Sequence, residues 1–231
     1  MRIATVGLDA DDTLWHNETI FRLTQERFRG LMADVATPDV LDERLAAVER
    51  RNLALYGYGL KGFTLSLIET AMELTGGEPP GRIIADILAA GREMLAHPVE
   101  PLPGVQPALA ELAASHRLVL ITKGDLLHQE QKLAASGLGD LFAAVEIVSE
   151  KDERTYRTIF QRHGSGAEAA AMCGNSIRSD VLPALAAGAW AAHIPYHVTW
   201  AHEMAEPPVD HPRFAELASI AELPAWVRSL G

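Results

Sequence analysis

Residues 3–13, IATVGLDADDT, carry an apolar run directly into three carboxylates within four positions. Ile, Thr and Val favour extended backbone. A short run without polar alternation reads as a strand buried on both faces, as in a parallel sheet covered by helices. The carboxylates at its end, Asp9, Asp11 and Asp12, repel one another and resist leaving water. Such a cluster is tolerated when something cationic sits on it.

Downstream the pattern changes. ETIFRLTQERFRGLMADV, DVLDERLAAVERRNLALY, GFTLSLIETAMELTG and PGRIIADILAAGREMLAHP repeat apolar residues at three- and four-residue spacing, and TGGEPPG breaks the series. They predict a helical insert over residues 16–98. From PLPGVQ the chain alternates: a helix leads to RLVLIT, the next to AAVEIVS, the next to AAAMCG and the next to AWAAHI. Helix–strand units of this length imply parallel strands with crossover helices on both faces. The expected fold is an α/β, doubly wound parallel sheet with an inserted α-helical domain. Residues 1–15 and 99–231 would form the core, and LASIAELPAWVRSLG a short strand and a closing helix.

In an open parallel sheet ligands bind beyond the carboxyl ends of the strands. The polar residues collect there, at Asp9–Thr13, Thr122–Asp125, Ser149–Asp152 and Gly174–Asp180. Asp9 and Asp11, two apart, can face one opening. Paired carboxylates favour a hard divalent ion, Mg²⁺ above all, and Asn175 and Asp180 can complete its shell from a neighbouring strand end.

DADDT resembles the DxDxT signature of the haloacid dehalogenase (HAD) superfamily of aspartate-nucleophile hydrolases. VLITKG resembles its second motif, Lys151 in SEKDERTY stands like its third-motif lysine, and CGNSIRSDVLPALAAGA resembles its fourth. The resemblance covers the whole chain, and the insert matches the family's helical cap of the C1 type. It implies a Rossmann-like core and a Mg²⁺-dependent phosphatase acting on a small phosphorylated metabolite. In it Asp9 is the nucleophile and Asp11 the acid and base. Thr122 and Lys151 hold the phosphoryl group, and Asp9, the Asp11 carbonyl and residue 175 carry the metal. Crowding by Asp9 and Asp12 is expected to raise the pKa of Asp11 so that it holds a proton. Lys123 and Gly124 add a cation and an N–H to the substrate site. Two positions depart from the pattern. Position 12 is Asp where Gly is common, and Asn175 stands where an acidic residue usually binds the metal, which lowers Mg²⁺ affinity and brings Asp180 toward the ion.

Other chemistries stay open. A dehalogenase uses the same aspartate on carbon but needs neither metal nor an acid at position 11. A phosphonate hydrolase would need a Schiff-base lysine, for which Lys61 is the lysine within the insert. A HAD-fold binding protein without turnover is the third reading, motivated by Asn175. The chain has 231 residues, 48% hydrophobic, and a net charge of −11. That charge disfavours a nucleic-acid partner, and no run of ~20 apolar residues suggests a membrane span. Its one cysteine, Cys173, lies in an apolar run and suits a cytoplasmic protein. HIPYHVTWAHE, residues 193–203, reads as a loop beside the active-site rim or as a homodimer contact. Its His197 and His202 have no common zinc spacing.

Overall fold

The computed structural model describes residues 2–198, 200 and 203–231. Among them, β1 (Thr5–Leu8), β2 (Arg117–Lys123), β3 (Ala144–Val148), β4 (Ala170–Gly174), β5 (Trp190–His193) and β6 (Phe214–Glu216) form one parallel sheet in the order β3-β2-β1-β4-β5-β6. The helices are α1 (Glu18–Leu31), α2 (Pro38–Tyr56), α3 (Leu60–Leu74), α4 (Gly81–Leu95), α5 (Val105–Ala113), α6 (Leu126–Ser136), α7 (Glu153–His163), α8 (Leu182–Ala186) and α9 (Leu223–Ser229). None of the described helices is long and apolar enough to cross a membrane.

β1 is central, with Thr5 opposite both Arg117 of β2 and Ala170 of β4. The chain lays β2 and β3 on one side of it and β4 to β6 on the other. This reversal opens a crevice at the carboxyl ends of β1 and β4, where such sheets bind ligands. The period of two in a strand sorts the core. Val6, Leu8, Leu118, Leu120, Ala171 and Cys173 pack with α5 and α9, whereas Val119, Ile121, Ala170 and Met172 pack with α7 and α8. Gly7 sits where that second face is tightest: a Cβ there would lie 2.9 Å from Ile121 Cδ1 and 3.0 Å from Met172 Sδ. Removing a buried side chain such as Leu8 from a core this close costs about 2–5 kcal/mol, so β1 is a stiff base for the residues that follow it.

The last strand lies upstream of its expected place. Pairing with β5 covers Phe214–Glu216. Beyond it Leu217, Ile220 and Leu223 are buried at three-residue spacing, a helical pattern that leads into α9.

The chain divides into two compact units. One holds the residues up to Glu18, Val99–Lys123 and Gln129–Gly231; the other holds Thr19–Pro98 and Gly124–His128. Glu18 stays with the sheet because the Asp12 carboxylate accepts the N–H groups of Asn17 and Glu18 at 2.8 and 3.0 Å. Segment 124–128 goes with the helices because the Asp125 carboxylate accepts the Lys61 N–H at 3.1 Å. The helical unit has its own core, in which Phe28, Leu41, Leu45, Phe63, Leu67 and Ile87 are buried together.

Candidate active site

Asp9 extends the ladder of β1 by one bond, its N–H donating to Cys173 O of β4 at 2.9 Å. The chain then turns sharply. Leu14 N–H returns to Ala10 O and Asp12 N–H to Trp15 O, each at 2.8 Å, with Asp12 at φ 63°. A non-glycine residue there carries strain on the order of 1–2 kcal/mol, which its capping of Asn17 and Glu18 offsets. Burial pushes the Asp12 carboxyl up to about 7, with the Asn17 N–H pulling the other way.

Lys151 lies between two carboxylates. Its Nζ is 2.5 Å from Asp9 Oδ1 and 2.7 Å from Asp180 Oδ1, and all three residues are buried. Burial alone would depress a lysine, but Asp180 and Asp9 hold this ammonium above the ordinary range. Asp9 is pushed up to about 7 by burial, with Lys151 opposing and Asp180 adding to the rise. A further cation beside Asp9 would favour its charged form.

Asp180 has partners of its own. Its Oδ1 accepts from Lys151, and its Oδ2 accepts the Ser176 N–H at 2.9 Å. The tight turn after β4 brings it there, and Gly174 permits the approach, since a Cβ at that position would lie 2.2 Å from Asp180 Oδ2. Asp180 thus anchors Lys151. Tyr156 OH donates to Ser179 O at 2.9 Å behind it.

Thr13 ties the β1 and β4 ends together. Its hydroxyl donates to Asp9 Oδ2 at 2.9 Å and accepts the Asn175 N–H at 3.0 Å. One atom of the Asn175 amide lies 3.2 Å from Asp9 Oδ2 and 3.2 Å from the Asp11 carbonyl oxygen. If that atom is nitrogen, it donates to both. If it is oxygen, three oxygens from two strand ends converge with no donor among them, which is the donor set a hard divalent ion takes. The residues therefore fit Mg²⁺ as Asp9, the Asp11 carbonyl and Asn175. Among the described residues no group of three His, Cys, Asp or Glu side chains is arranged around a metal, so such a site draws on the amide and the carbonyl.

The Asp11 side chain turns to a different set of partners. It accepts from Trp15 Nε1 at 2.7 Å, Gln129 Nε2 at 2.9 Å and Lys132 Nζ at 2.5 Å. Burial pushes its pKa up, but Lys132 and these hydrogen bonds bring it below the ordinary value. The expected rise is thus overturned: crowding by Asp9 and Asp12 is outweighed by a cation in direct contact. Gln129 Nε2 also reaches Thr122 Oγ1 at 3.0 Å and Lys123 O at 2.6 Å, joining Asp11 to the end of β2. Thr122 is fully buried beside them.

Gln129 and Lys132 were not singled out from the sequence. They lie one turn apart on one face of α6, and they are the buried residues of that helix while Leu126 and Leu127 are exposed. Glu203 was also missed. Lys123 points to it, with Nζ 2.8 Å from Glu203 Oε1, 2.9 Å from Ser179 Oγ and 3.4 Å from Glu150 Oε1. Gly124, at φ 128°, begins the segment that belongs to the helical unit. In the stretch 193–203, Tyr196 OH meets His16 Nδ1, and the Tyr196 and His197 rings lie 4.3 Å apart, tilted by 46°; His202 lies outside the described residues.

A family model described as haloacid dehalogenase-like hydrolase matches residues 3–188. Among solved structures, a haloacid dehalogenase-like family hydrolase from Xanthomonas campestris is 45% identical, covers 99% of this chain and 91% of its own, and superposes with a TM-score of 0.88. YfnB of Bacillus subtilis bound to magnesium is 15% identical over 98% of this chain and 99% of its own, TM-score 0.66. An L-2-haloacid dehalogenase from Xanthobacter autotrophicus with chloropropionic acid covalently bound is 20% identical over 99% and 100%, TM-score 0.67. No curated protein matches the chain.

Proposed function

Since the chain belongs to the haloacid dehalogenase-like hydrolases, we propose that it is a Mg²⁺-dependent phosphatase of a small phosphomonoester, working through an aspartyl-phosphate on Asp9. The observation that carries this reading is the buried trio of Asp9, Lys151 and Asp180 beside the oxygen set of Asp9, the Asp11 carbonyl and Asn175. A nucleophile, a fixed positive charge and a cation seat at one strand end are what this reading needs, and these residues support it. Mg²⁺ at those oxygens would neutralise charge and lower the pKa of Asp9.

The rest of the chemistry falls to the protein. The Asp9 carboxylate attacks phosphorus, forming the acyl-phosphate bond as the bond to the leaving oxygen breaks. Lys151, held rigid by Asp180, offsets the charge of the incoming dianion. Thr122, braced by Gln129, offers its hydroxyl to the transferring group. Water then attacks phosphorus and frees Asp9, and an ionised Asp11 is fitted to take that proton. The same ionisation makes Asp11 a poor proton donor to the leaving oxygen, so the reading favours phosphate esters with good leaving groups, acyl and aryl phosphates. A phosphorylated metabolite as partner and a cytoplasmic location belong to this reading, supported by the lone buried cysteine. The test is hydrolysis of acetyl phosphate and p-nitrophenyl phosphate with Mg²⁺, abolished in Asp9→Asn; turnover surviving that substitution ends the assignment.

A second reading has specific support. Halide leaves carbon without a proton, so an Asp11 paired to Lys132 is no obstacle to dehalogenation, and Asn175 suits a site that needs no metal. Release of halide from 2-chloropropionate in EDTA, with no release of phosphate from either ester, would establish it in place of the first.

A further inference from the structure

Glu203 is a carboxylate bound as a ligand would be. Its Oε1 takes the Lys123 ammonium at 2.8 Å, and its Oε2 takes the Ser176 hydroxyl at 2.5 Å and that of Ser179. Ser176 Oγ also meets Glu203 O at 3.4 Å and accepts the Ser179 N–H at 2.9 Å. The two serines are buried, 5% exposed each, and the Lys123 side chain is 10% exposed. Each of the three follows or precedes a residue of the candidate active site: Lys123 after Thr122, Ser176 after Asn175, Ser179 before Asp180. The cluster is thus one residue in sequence from Thr122, Asn175 and Asp180.

Glu203 arrives on the connection between β5 and β6. Residues 194–213 link β5 to β6, and among the described ones only Ile194 is buried, with Met204 66% and Val209 72% exposed. Connections of this length are usually functional or disordered, and one with so few buried residues among those described opens at lower cost than the sheet core. Burial works against the charge of Glu203, but Lys123 and the serine hydroxyls hold its pKa below the ordinary value. The donor set is therefore matched to an anion and is at present filled from within the chain.

We infer that Lys123, Ser176 and Ser179 form a carboxylate subsite adjoining the phosphoryl site, which Glu203 closes in the free protein and which a substrate's own carboxylate takes over. The substrate class is then a phosphomonoester bearing a carboxylate. This rests on the phosphatase reading for its substrate, but not for the subsite itself.

Two measurements separate these. Acetate, titrated by NMR into metal-free protein, needs no turnover. If the internal carboxylate occupies the subsite nine-tenths of the time, removing it tightens the apparent affinity about tenfold. Glu203→Ala should then bind acetate about tenfold more tightly than the native chain, and Lys123→Met in the same background should abolish it. Equal acetate binding by native and Glu203→Ala protein, or binding that survives Lys123→Met, overturns the subsite; Glu203→Gln, which keeps the side-chain volume, serves if the alanine variant does not fold. In the second measurement, KM for 2-carboxyphenyl phosphate, an aryl ester that carries a carboxylate, relative to p-nitrophenyl phosphate should fall several-fold in Glu203→Ala and rise in Lys123→Met. Acetate binding with an unmoved KM ratio overturns the substrate class and leaves a site for free carboxylates. Failure of both esters to turn over, with acetate bound as expected, refutes the phosphatase reading and not the subsite.

Discussion

Replacing Lys132 with methionine tests the reading of Asp11 most sharply. Lys132 Nζ lies 2.5 Å from Asp11 Oδ1, with side-chain exposures of 9% and 23%. A fully buried pair broken on one side costs about 3–5 kcal/mol, because a charge is left without its partner; an exposed pair is worth about 0–1 kcal/mol. Partial exposure, and the hydrogen bonds from Trp15 and Gln129 that remain, place the cost between these, at about 2–3 kcal/mol. Its pH dependence is distinctive. In the native chain Asp11 has a depressed pKa, so its contribution is present above the unfolded value of 3.8 and is lost only as pH falls through the lower folded value. Without Lys132, burial dominates and the pKa rises above 3.8, so stability is lost as pH rises through the new folded value. Urea unfolding of both proteins in EDTA should show the deficit in full at pH 7.5 and a smaller one at pH 5. A deficit below about 1 kcal/mol at pH 7.5 would match a surface pair, and a deficit equal at both pH values would refute the pairing as the cause.

Other outcomes follow from the same geometry. Asp9 and Asp12 both have carboxyls raised to about 7, so the metal-free protein should gain stability as pH falls from about 8 to 5. Asp9→Asn should remove its share of that gain and leave the part due to Asp12, and a stability curve level in the native chain over this range contradicts it. Asn175→Asp adds a full negative charge to the cation seat and should tighten Mg²⁺ binding measured by calorimetry; an unchanged isotherm means that the ion is held elsewhere. Gly174→Ala puts a methyl 2.2 Å from Asp180 Oδ2, so Asp180 must shift and Lys151 with it. The variant should lose about 1–3 kcal/mol and most of its turnover, and native-like values would show that the turn relaxes freely.

The sheet was legible because each strand is a short apolar run ending at polar residues, and the crossover helices carry ordinary apolar spacing. The groups at the strand ends, Asp9, Thr122, Lys151, Asn175 and Asp180, follow from that placement. Their mutual use did not. Asp9 and Asp12 are visible beside Asp11 as like charges, but Lys132 arrives from 121 positions away, on a helix that opens with two exposed leucines and buries Gln129 and Lys132. Hydrophobic periodicity assigns Gln129 and Lys132 to solvent, and nothing local reverses that. Glu203 is hidden for another reason: it lies in an irregular connection, and only the three-dimensional return of that connection to β2 and β4 gives it partners.

The most direct measurement is chemical trapping at position 9. Protein turning over acetyl phosphate with Mg²⁺ is quenched and reduced with borohydride, which converts an acyl phosphate to the alcohol, and the peptides are mapped by mass spectrometry. Homoserine at position 9, dependent on both substrate and cation, is the predicted result. An unaltered Asp9 during full turnover, or reduction at Asp11 or Asp180 in its place, would contradict it.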